Sequence, residues 1–228
     1  MAEVVLEMKN ITKEFPGVKA LNNVNIDLRK GEVLGIVGEN GAGKSTLMKV
    51  LSGTYSHDQY TGEIWVDGKK QQFSSVADGR NAGICMIYQE VSVMFDSSVA
   101  ENVFVNNLPG KGLFVDYPKL YADTQVLLDR VGLAVDPKTI VRKLNAGQLQ
   151  LMSIVRGIAA NPHILVFDEP STALTDSEVD LLMDFLDRLR KDGVSCIYIS
   201  HKLEEIYRIC DRVTVIRDGQ TIATRDAE

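Results

Sequence analysis

Gly38-Glu39-Asn40-Gly41-Ala42-Gly43-Lys44-Ser45 is the stretch on which the reading of this 228-residue chain turns. It matches G-x-x-x-x-G-K-[ST], a loop whose glycines let backbone N–H groups converge on phosphate oxygens with no Cβ in the way. The pattern carries meaning only between a strand and a helix. Here a compact apolar run, Glu32 to Val37, precedes it, and Lys44 to Leu51 opens a helix whose N-terminus adds partial positive charge. In that setting Lys44 reaches the β- and γ-phosphates of a nucleotide and Ser45 ligates Mg²⁺. Gly38, Glu39, Asn40, Gly41, Ala42, Gly43 and Thr46 are the remaining candidate nucleotide contacts. The competing reading is a chance glycine turn. At ordinary residue frequencies the pattern arises in roughly one chain in a hundred, and the flanking strand and helix lower that further.

A second compact run, Ile164 to Phe167, ends on Asp168-Glu169. Ligands of open α/β sheets bind at the C-terminal ends of the strands, so two carboxylates delivered there suit a Mg²⁺-facing Asp168 and a water-polarising Glu169. A third run, Ser195 to Ser200, completes the set, and helical patterns follow the last two: Asp176 to Lys191 and Lys202 to Cys210. In the first of these Val179, Leu182, Leu186 and Leu189 share a face, Thr175 and Glu178 form a capping box, and Gly193 closes the segment. Strand–helix alternation of this kind predicts a parallel sheet.

Other regions have a different style. Val4, Leu6 and Met8, then Val24, Ile26 and Leu28, alternate with polar or exposed positions as half-buried strands do. Gly62 to Val66 runs into the tight-turn pair Asp67-Gly68, and Val213 to Ile216 with Asp218-Gly219 and Thr221 to Thr224 reads as a closing hairpin. From about Val91 to Asn161 the pattern is mostly helical, with Leu120, Leu127, Leu128 and Val131 on one face and Leu151, Ile154, Val155 and Ile158 on another. The expected fold is α/β: a P-loop NTPase core with a mostly parallel sheet, an antiparallel β subdomain and a helical subdomain insertion. The chain is read as one domain, residues 1–228, with core and β subdomain at 1–90 and 162–228 and the helical part at 91–161.

Composition narrows the function. Hydrophobic residues at 45% and charged residues at 25% exclude a disordered or disulfide-scaffold chain. The net charge of −6 argues against a generic nucleic-acid or anionic-membrane coat, so no nucleic-acid partner is expected and any polyanion should be held at a dedicated site. Cys85, Cys196 and Cys210 show no C-x-x-C spacing and are read as buried free thiols. Met1 to Lys9 is too short and too acidic for a signal peptide, and apolar runs reach only about five residues where a membrane helix needs about 20. A place facing the cytosol is expected.

Asp168 lies 124 positions after Lys44, a gap that suits a P-loop ATPase with a helical insertion. At this point the chain resembles the ATPase domains of ABC transporters. Gln89 follows the strand Ile84–Tyr88 as their Q-loop glutamine does. Leu144-Asn145-Ala146-Gly147-Gln148 stands in the place of their LSGGQ signature, Thr172-Ala173-Leu174-Thr175 in that of the D-loop, and Ser200-His201 in that of the H-loop. Phe15, with Val18 beside it, stands where the family carries an adenine-stacking aromatic. Singly, each has an ordinary structural reading; their order and spacing across the whole chain carry the resemblance. Met8 to Lys13, Gly38-Glu39-Asn40-Gly41, Tyr88-Gln89-Glu90 and Tyr198 to Lys202 are similar to the first nucleotide-binding domain of monosaccharide importers of the ribose, galactose and xylose type, and Tyr55 to Ile64 most resembles the xylose branch.

The resemblance implies Mg²⁺-dependent ATP hydrolysis powering sugar import. ATP would lie in the P-loop with adenine on Phe15, and Ser45, Gln89 and Asp168 would stand near Mg²⁺. Glu169 would act as base, and His201 would contact the γ-phosphate. It also implies a second ABC ATPase domain docked head to tail, continuing in the same polypeptide, so that Asn145, Gly147 and Gln148 complete the opposite site. Membrane permease subunits would be direct partners and a periplasmic or extracellular sugar-binding protein an indirect one, at the cytoplasmic side of the membrane. Two departures bear on catalysis: Asn145 and Ala146 replace Ser and Gly of the signature, and Thr175 replaces the usual Asp of the D-loop. The site completed by this signature is expected to bind ATP and hydrolyse it slowly. The alternatives are a soluble ABC ATPase acting in translation or DNA repair, and a non-hydrolysing nucleotide switch.

Overall fold

The computed structural model describes residues 3–89, 91–105, 107–111 and 114–227; Glu90 of the stretch quoted above lies outside them. In chain order, β1 (Val4–Phe15) and β2 (Val18–Arg29) form a long hairpin, and β3 (Val33–Val37) runs into helix α1 (Lys44–Leu51). A second hairpin, β4 (Thr61–Val66) and β5 (Lys69–Gln71), is followed by α2 (Val76–Asn81) and β6 (Ile84–Ile87). Next come α3 (Val99–Val103), a small hairpin of β7 (Gly110–Lys111) and β8 (Phe114–Val115), α4 (Tyr117–Val131) and α5 (Ala146–Ala159). The chain then alternates through β9 (Ile164–Asp168), α6 (Asp176–Lys191), β10 (Ser195–Ile199) and α7 (Leu203–Ile209), and closes on β11 (Arg212–Arg217) and β12 (Gln220–Asp226).

Two main sheets result. The antiparallel one has the order β2-β1-β4-β5, and the six-stranded one the order β12-β11-β3-β10-β9-β6. Within the latter, β11, β3, β10 and β9 are mutually parallel, and β12 pairs antiparallel with β11. The compact apolar runs are the central strands: Val33, Leu34, Ile36, Ile164, Phe167, Cys196, Ile197 and Ile199 are fully buried, as strands covered on both faces must be. Both aspartate–glycine pairs sit where they were expected, with Asp67 at φ 48° and Gly68 at 70°, and Asp218 at 50° and Gly219 at 71°. Two consecutive positive φ values match the right-handed twist of the strands they join.

The alternation in β1 is interrupted. Leu6, Met8 and Ile11 are buried opposite Leu28, Ile26 and Val24, but Val4 is exposed and Val5 is buried in its stead. A register shift between Val4 and Leu6 is the cause, since one extra residue turns the preceding side chain to the other face. The thiols divide as well: Cys196 and Cys210 are buried as expected, whereas Cys85 is only half-buried. Burial, with the Asp211 charge behind it, pushes the Cys210 thiol up to about 12, which leaves it inert.

Contacts divide the chain into two units, the first made of Met1–Met86, Pro162–Glu169 and Asp187–Glu228, the second of Ile87–Asn161 and Pro170–Leu186. The first holds one hydrophobic core running from Met8 and Ile11 through Leu47 and Phe73 to Ile36, Ile164 and Ile197. The second extends beyond the expected 91–161 to take in the start of α6. Glu178 lies against Gly147 there, and Leu181 lies against Gly132, at the end of α4. Leu151, Ile154, Val155 and Ile158 of α5 are buried as their spacing predicts. On α4 the buried line is Leu120, Thr124, Leu128 and Val131, with Leu127 only half-buried. Thr124 can take that place because its hydroxyl donates to the Leu120 carbonyl (2.7 Å), satisfying its polar atom within the helix.

Candidate nucleotide site

The order of the six-stranded sheet sets the site. β3, β10 and β9 are adjacent and parallel, with Ile36, Ile199 and Asp168 in register, so the segments that follow them emerge at one sheet edge. Those segments are the Gly38–Ser45 loop, Ser200-His201 and Glu169.

The loop is held by close approach as well as by dihedral angle. A Cβ on Gly38 would come within 2.2 Å of the Ile216 carbonyl oxygen, and one on Gly43 within 2.7 Å of that of Ala20; Gly43 also sits at φ 103°. The turn of the closing hairpin anchors it: Gly219 N–H donates to the Ala42 carbonyl (3.1 Å), and Asn22 N–H donates to that of Gly219 (2.7 Å). Gly43 is the N-cap of α1 and offers no side-chain cap, and no acidic residue stands in the first turn. The amide end of α1 therefore carries its positive partial charge with no carboxylate against it in that turn. Lys44 is buried, and its ammonium donates to the carbonyls of Gly38 (2.7 Å) and Glu39 (3.0 Å), while Ser45 is exposed.

Asp168 closes β9. Burial, reinforced by the neighbouring Glu169 charge, pushes its carboxyl above the ordinary aspartate value, while Lys44 and Lys49 pull the other way. Two adjacent carboxylates at a half-buried sheet edge suit a hard divalent cation, which would relieve the charge that two lysines only partly offset. Glu169 adopts φ 48°, a left-handed conformation uncommon for a residue with a Cβ, and its N–H donates to the Ile199 carbonyl (3.0 Å). That turn brings its carboxylate to 3.4 Å from Nδ1 of His201, with the glutamate side chain 18% and the histidine 56% exposed. The two residues read separately in the sequence are thus in contact.

Phe15 ends β1 opposite Val18, and both are exposed. Two partners that the sequence reading did not single out hold the Phe15 ring. Tyr55 meets it edge-on at 5.7 Å, and the ammonium of buried Lys13 lies 4.8 Å from its centroid and 4.9 Å from that of Tyr55. Lys13 also donates to the Gln59 carbonyl (2.8 Å). The i, i+2 spacing of Lys13 and Phe15 on a strand was the available signal, because such residues share a face.

The remaining candidates belong to the second unit. Gln89 follows β6 and is exposed. Asn145 is the N-cap of α5, its Oδ1 accepting from Gln148 N–H (2.8 Å) while Gln148 Oε1 accepts from Asn145 N–H (3.1 Å). Gly147 is buried, and a Cβ there would fall 2.4 Å from the Glu178 carboxylate. That same carboxylate accepts from the Thr175 N–H and hydroxyl, both at 2.9 Å, so Glu178 joins Thr175 to the start of α5.

Residues 21–172 match the ABC transporter family. This chain belongs to that family. The matched stretch takes in the P-loop, Gln89, Asn145 to Gln148 and Asp168-Glu169. The xylose import ATP-binding protein XylG of Geobacillus kaustophilus is 50% identical over 224 residues, which are 98% of this chain and 44% of that protein. The galactose/methyl galactoside import ATP-binding protein MglA 1 of Photobacterium profundum is 46% identical over 230 residues, covering 100% of this chain and 46% of its own. The chain therefore spans less than half the length of these ABC relatives. A solved nucleotide-free ATP-binding cassette from an ABC transporter superposes with a TM-score of 0.86 at 26% identity, over 99% of this chain and 92% of that one. The P-loop NTPase type of α/β fold with its antiparallel and helical parts is that of an ABC ATPase. No helix among the described residues is long and apolar enough to cross a membrane.

Proposed function

We propose that this chain is the ATP-binding and ATP-hydrolysing part of an importer for a monosaccharide, with xylose the leading substrate. The observation that carries the reading is the convergence of the P-loop, Asp168-Glu169 and His201 at one edge of three neighbouring parallel strands, with Glu169 touching His201. The loop amides from Gly38 to Thr46 and the N-terminus of α1 hold the phosphates of ATP. Lys44 exchanges its two loop carbonyls for β- and γ-phosphate oxygens, stronger acceptors because they are charged. Phe15, steadied by Lys13 and Tyr55, stacks on the adenine, with Val18 at its side. Ser45 and Asp168 would hold Mg²⁺, which neutralises phosphate charge when bound, and the resemblance to the family adds Gln89 as a candidate for the same ion. Glu169 takes a proton from the attacking water, and His201 donates a hydrogen bond to the γ-phosphate. Asn145, Gly147 and Gln148 present the amide end of α5 to the nucleotide of a second ABC ATPase domain.

Xylose is favoured because relatives matched over nearly the whole chain at 48–50% identity are named xylose import proteins. The direct partners are membrane permease subunits at the cytoplasmic face, and a sugar-binding protein on the other side acts through them. The test is uptake in vesicles carrying the full-length protein and its membrane subunits, with labelled xylose, galactose and arabinose. ATP-dependent accumulation of xylose supports the reading. Absence of uptake of any sugar, or copurification with ribosomes rather than permease subunits, overturns it.

A further inference from the structure

We propose that Glu205 is a positioning residue for His201, fixing the Tyr198–Lys202 segment so that the imidazole stands against Glu169; this rests on the reading of His201 as a γ-phosphate contact. Glu205 lies on α7, 6% exposed, and its carboxylate gathers three residues spaced two apart. Oε2 accepts from the Tyr198 hydroxyl (2.8 Å) and from Ser200 Oγ (3.0 Å), and Oε1 pairs with Lys202 Nζ (3.2 Å). Ser200 Oγ in turn accepts from the Lys202 N–H (3.0 Å). The residues on both sides of His201 are therefore tied to one buried carboxylate. His201 itself is more than half exposed, so little side-chain packing locates it. An exposed side chain is placed by its backbone, and this backbone is placed by Glu205. The charge matters to the arrangement. A glutamine could still accept from Tyr198 and Ser200 through its one oxygen, but its NH₂ would then face the Lys202 ammonium, donor against donor. Removing an acceptor from buried hydroxyls carries the full desolvation cost of those groups.

Two measurements test this in the full-length protein. The first is the imidazole ¹⁵N spectrum, with the His201 signal assigned by its loss in His201→Gln. In the wild type, Glu169→Gln should shift that signal. In Ser200→Ala and in Glu205→Gln the same substitution should leave it unmoved, because the loop no longer holds the ring at Glu169. The His57 and His163 signals serve as internal references. The second is turnover with the membrane subunits. Glu205→Gln should lower kcat about tenfold with KM for ATP unchanged, as expected for a misplaced group that acts after binding. It should lower kcat no further in a His201→Ala background. Ser200→Ala, a single-atom change, gives the same comparison should Glu205→Gln fold poorly. An undiminished response of His201 to Glu169→Gln in both loop variants overturns the proposal, as does an equal fall in kcat with and without His201. Full turnover by His201→Ala would instead overturn the reading of His201, and the spectrum would still decide the role of Glu205.

Discussion

Lys44 and Glu169 are the two residues at which the proposed nucleotide reading is most directly tested. A buried ammonium that bonds two carbonyls of its own loop is satisfied but neutralises no charge, and the acceptors it could exchange for are phosphate oxygens. Lys44→Ala removes one cation and two charge-assisted hydrogen bonds, each worth about 1.5–3 kcal/mol. ATP affinity should fall by at least 10-fold, measured by calorimetry or a fluorescent analogue, and undiminished affinity would mean that the phosphates lie elsewhere. Glu169→Gln keeps the left-handed turn and the shape of the side chain but removes the base. ATP should still bind, and turnover in the assembled transporter should fall by ~10²–10⁴. At this scale the candidate site could be picked out in the sequence because its residues are contiguous: loop, lysine and serine are neighbours, and so are the two carboxylates. Lys13 offered only its i, i+2 spacing from Phe15 on one strand, and Tyr55 and Glu205 were not legible as parts of it. The fold brings the partners of those two to them, and a single tyrosine or glutamate carries no pattern of its own.

Elements were readable in proportion to their length. α4, α5 and α6 run for 15, 14 and 16 residues, enough turns for a hydrophobic face to repeat. α2 and α3, with six and five residues, show no periodicity, and the two-residue strands of the β7–β8 hairpin none either. What marks the two short helices is their start. Asp78 accepts from the Ser75 N–H (2.9 Å), and Glu101 accepts from the Ser98 N–H (2.8 Å) and hydroxyl (2.6 Å). Serine followed three residues on by an acid is the legible form of such a cap. The cap on α3 has a consequence for pH. The Ser98 hydroxyl and N–H hold the Glu101 carboxyl below its ordinary value of 4.5. A carboxyl lowered in the folded state contributes stability above that value and loses it as pH falls through the folded one. Hydrogen exchange at α3 should therefore speed up relative to α5 as pH falls below 4.5, and Glu101→Gln should abolish the difference at a cost of about 0.5 kcal/mol at pH 6. Glu32 opposes this in the first unit. Burial raises its carboxyl despite Arg212 beside it, so its contribution is largest at low pH and declines as pH rises past 4.5. The acid limb must be read locally, in exchange rates, because a global melt would sum the two.

For the whole molecule the question is whether two composite sites of the assembled importer would work equally. On the proposed reading, the signature amides would stabilise charge on the γ-phosphate of a second, opposite domain, and that stabilisation would depend on how closely the backbone of α5 can approach it. Three of its features are intact: Gly147 stays a glycine because the Glu178 carboxylate leaves no space for a Cβ, Gln148 closes the capping box, and Asn145 begins the helix at φ −78° and ψ 173° as a capping residue should. The side-chain oxygen of Asn145 is committed to the Gln148 N–H, so as a cap it does what a serine would. Two things differ. Beyond that oxygen Asn145 presents an amide where the family presents a hydroxyl, and Ala146, exposed at the first turn, carries a Cβ where a glycine would leave the approach open. Loss of one such donor costs ~10²–10³-fold at the site concerned. The site completed by this α5 should therefore bind ATP and turn it over slowly, and the site built on Lys44 and Glu169 of this chain should carry most of the flux. Site-resolved turnover in the assembled transporter, with the opposite site silenced in each arm, measures both. Asn145→Ser combined with Ala146→Gly should raise hydrolysis at the slow site while lowering the thermal midpoint only slightly, because serine also caps α5 and the added glycine stands at its first position. Equal turnover at the two sites before any substitution would show that backbone amides alone suffice and that the departures at 145 and 146 are neutral.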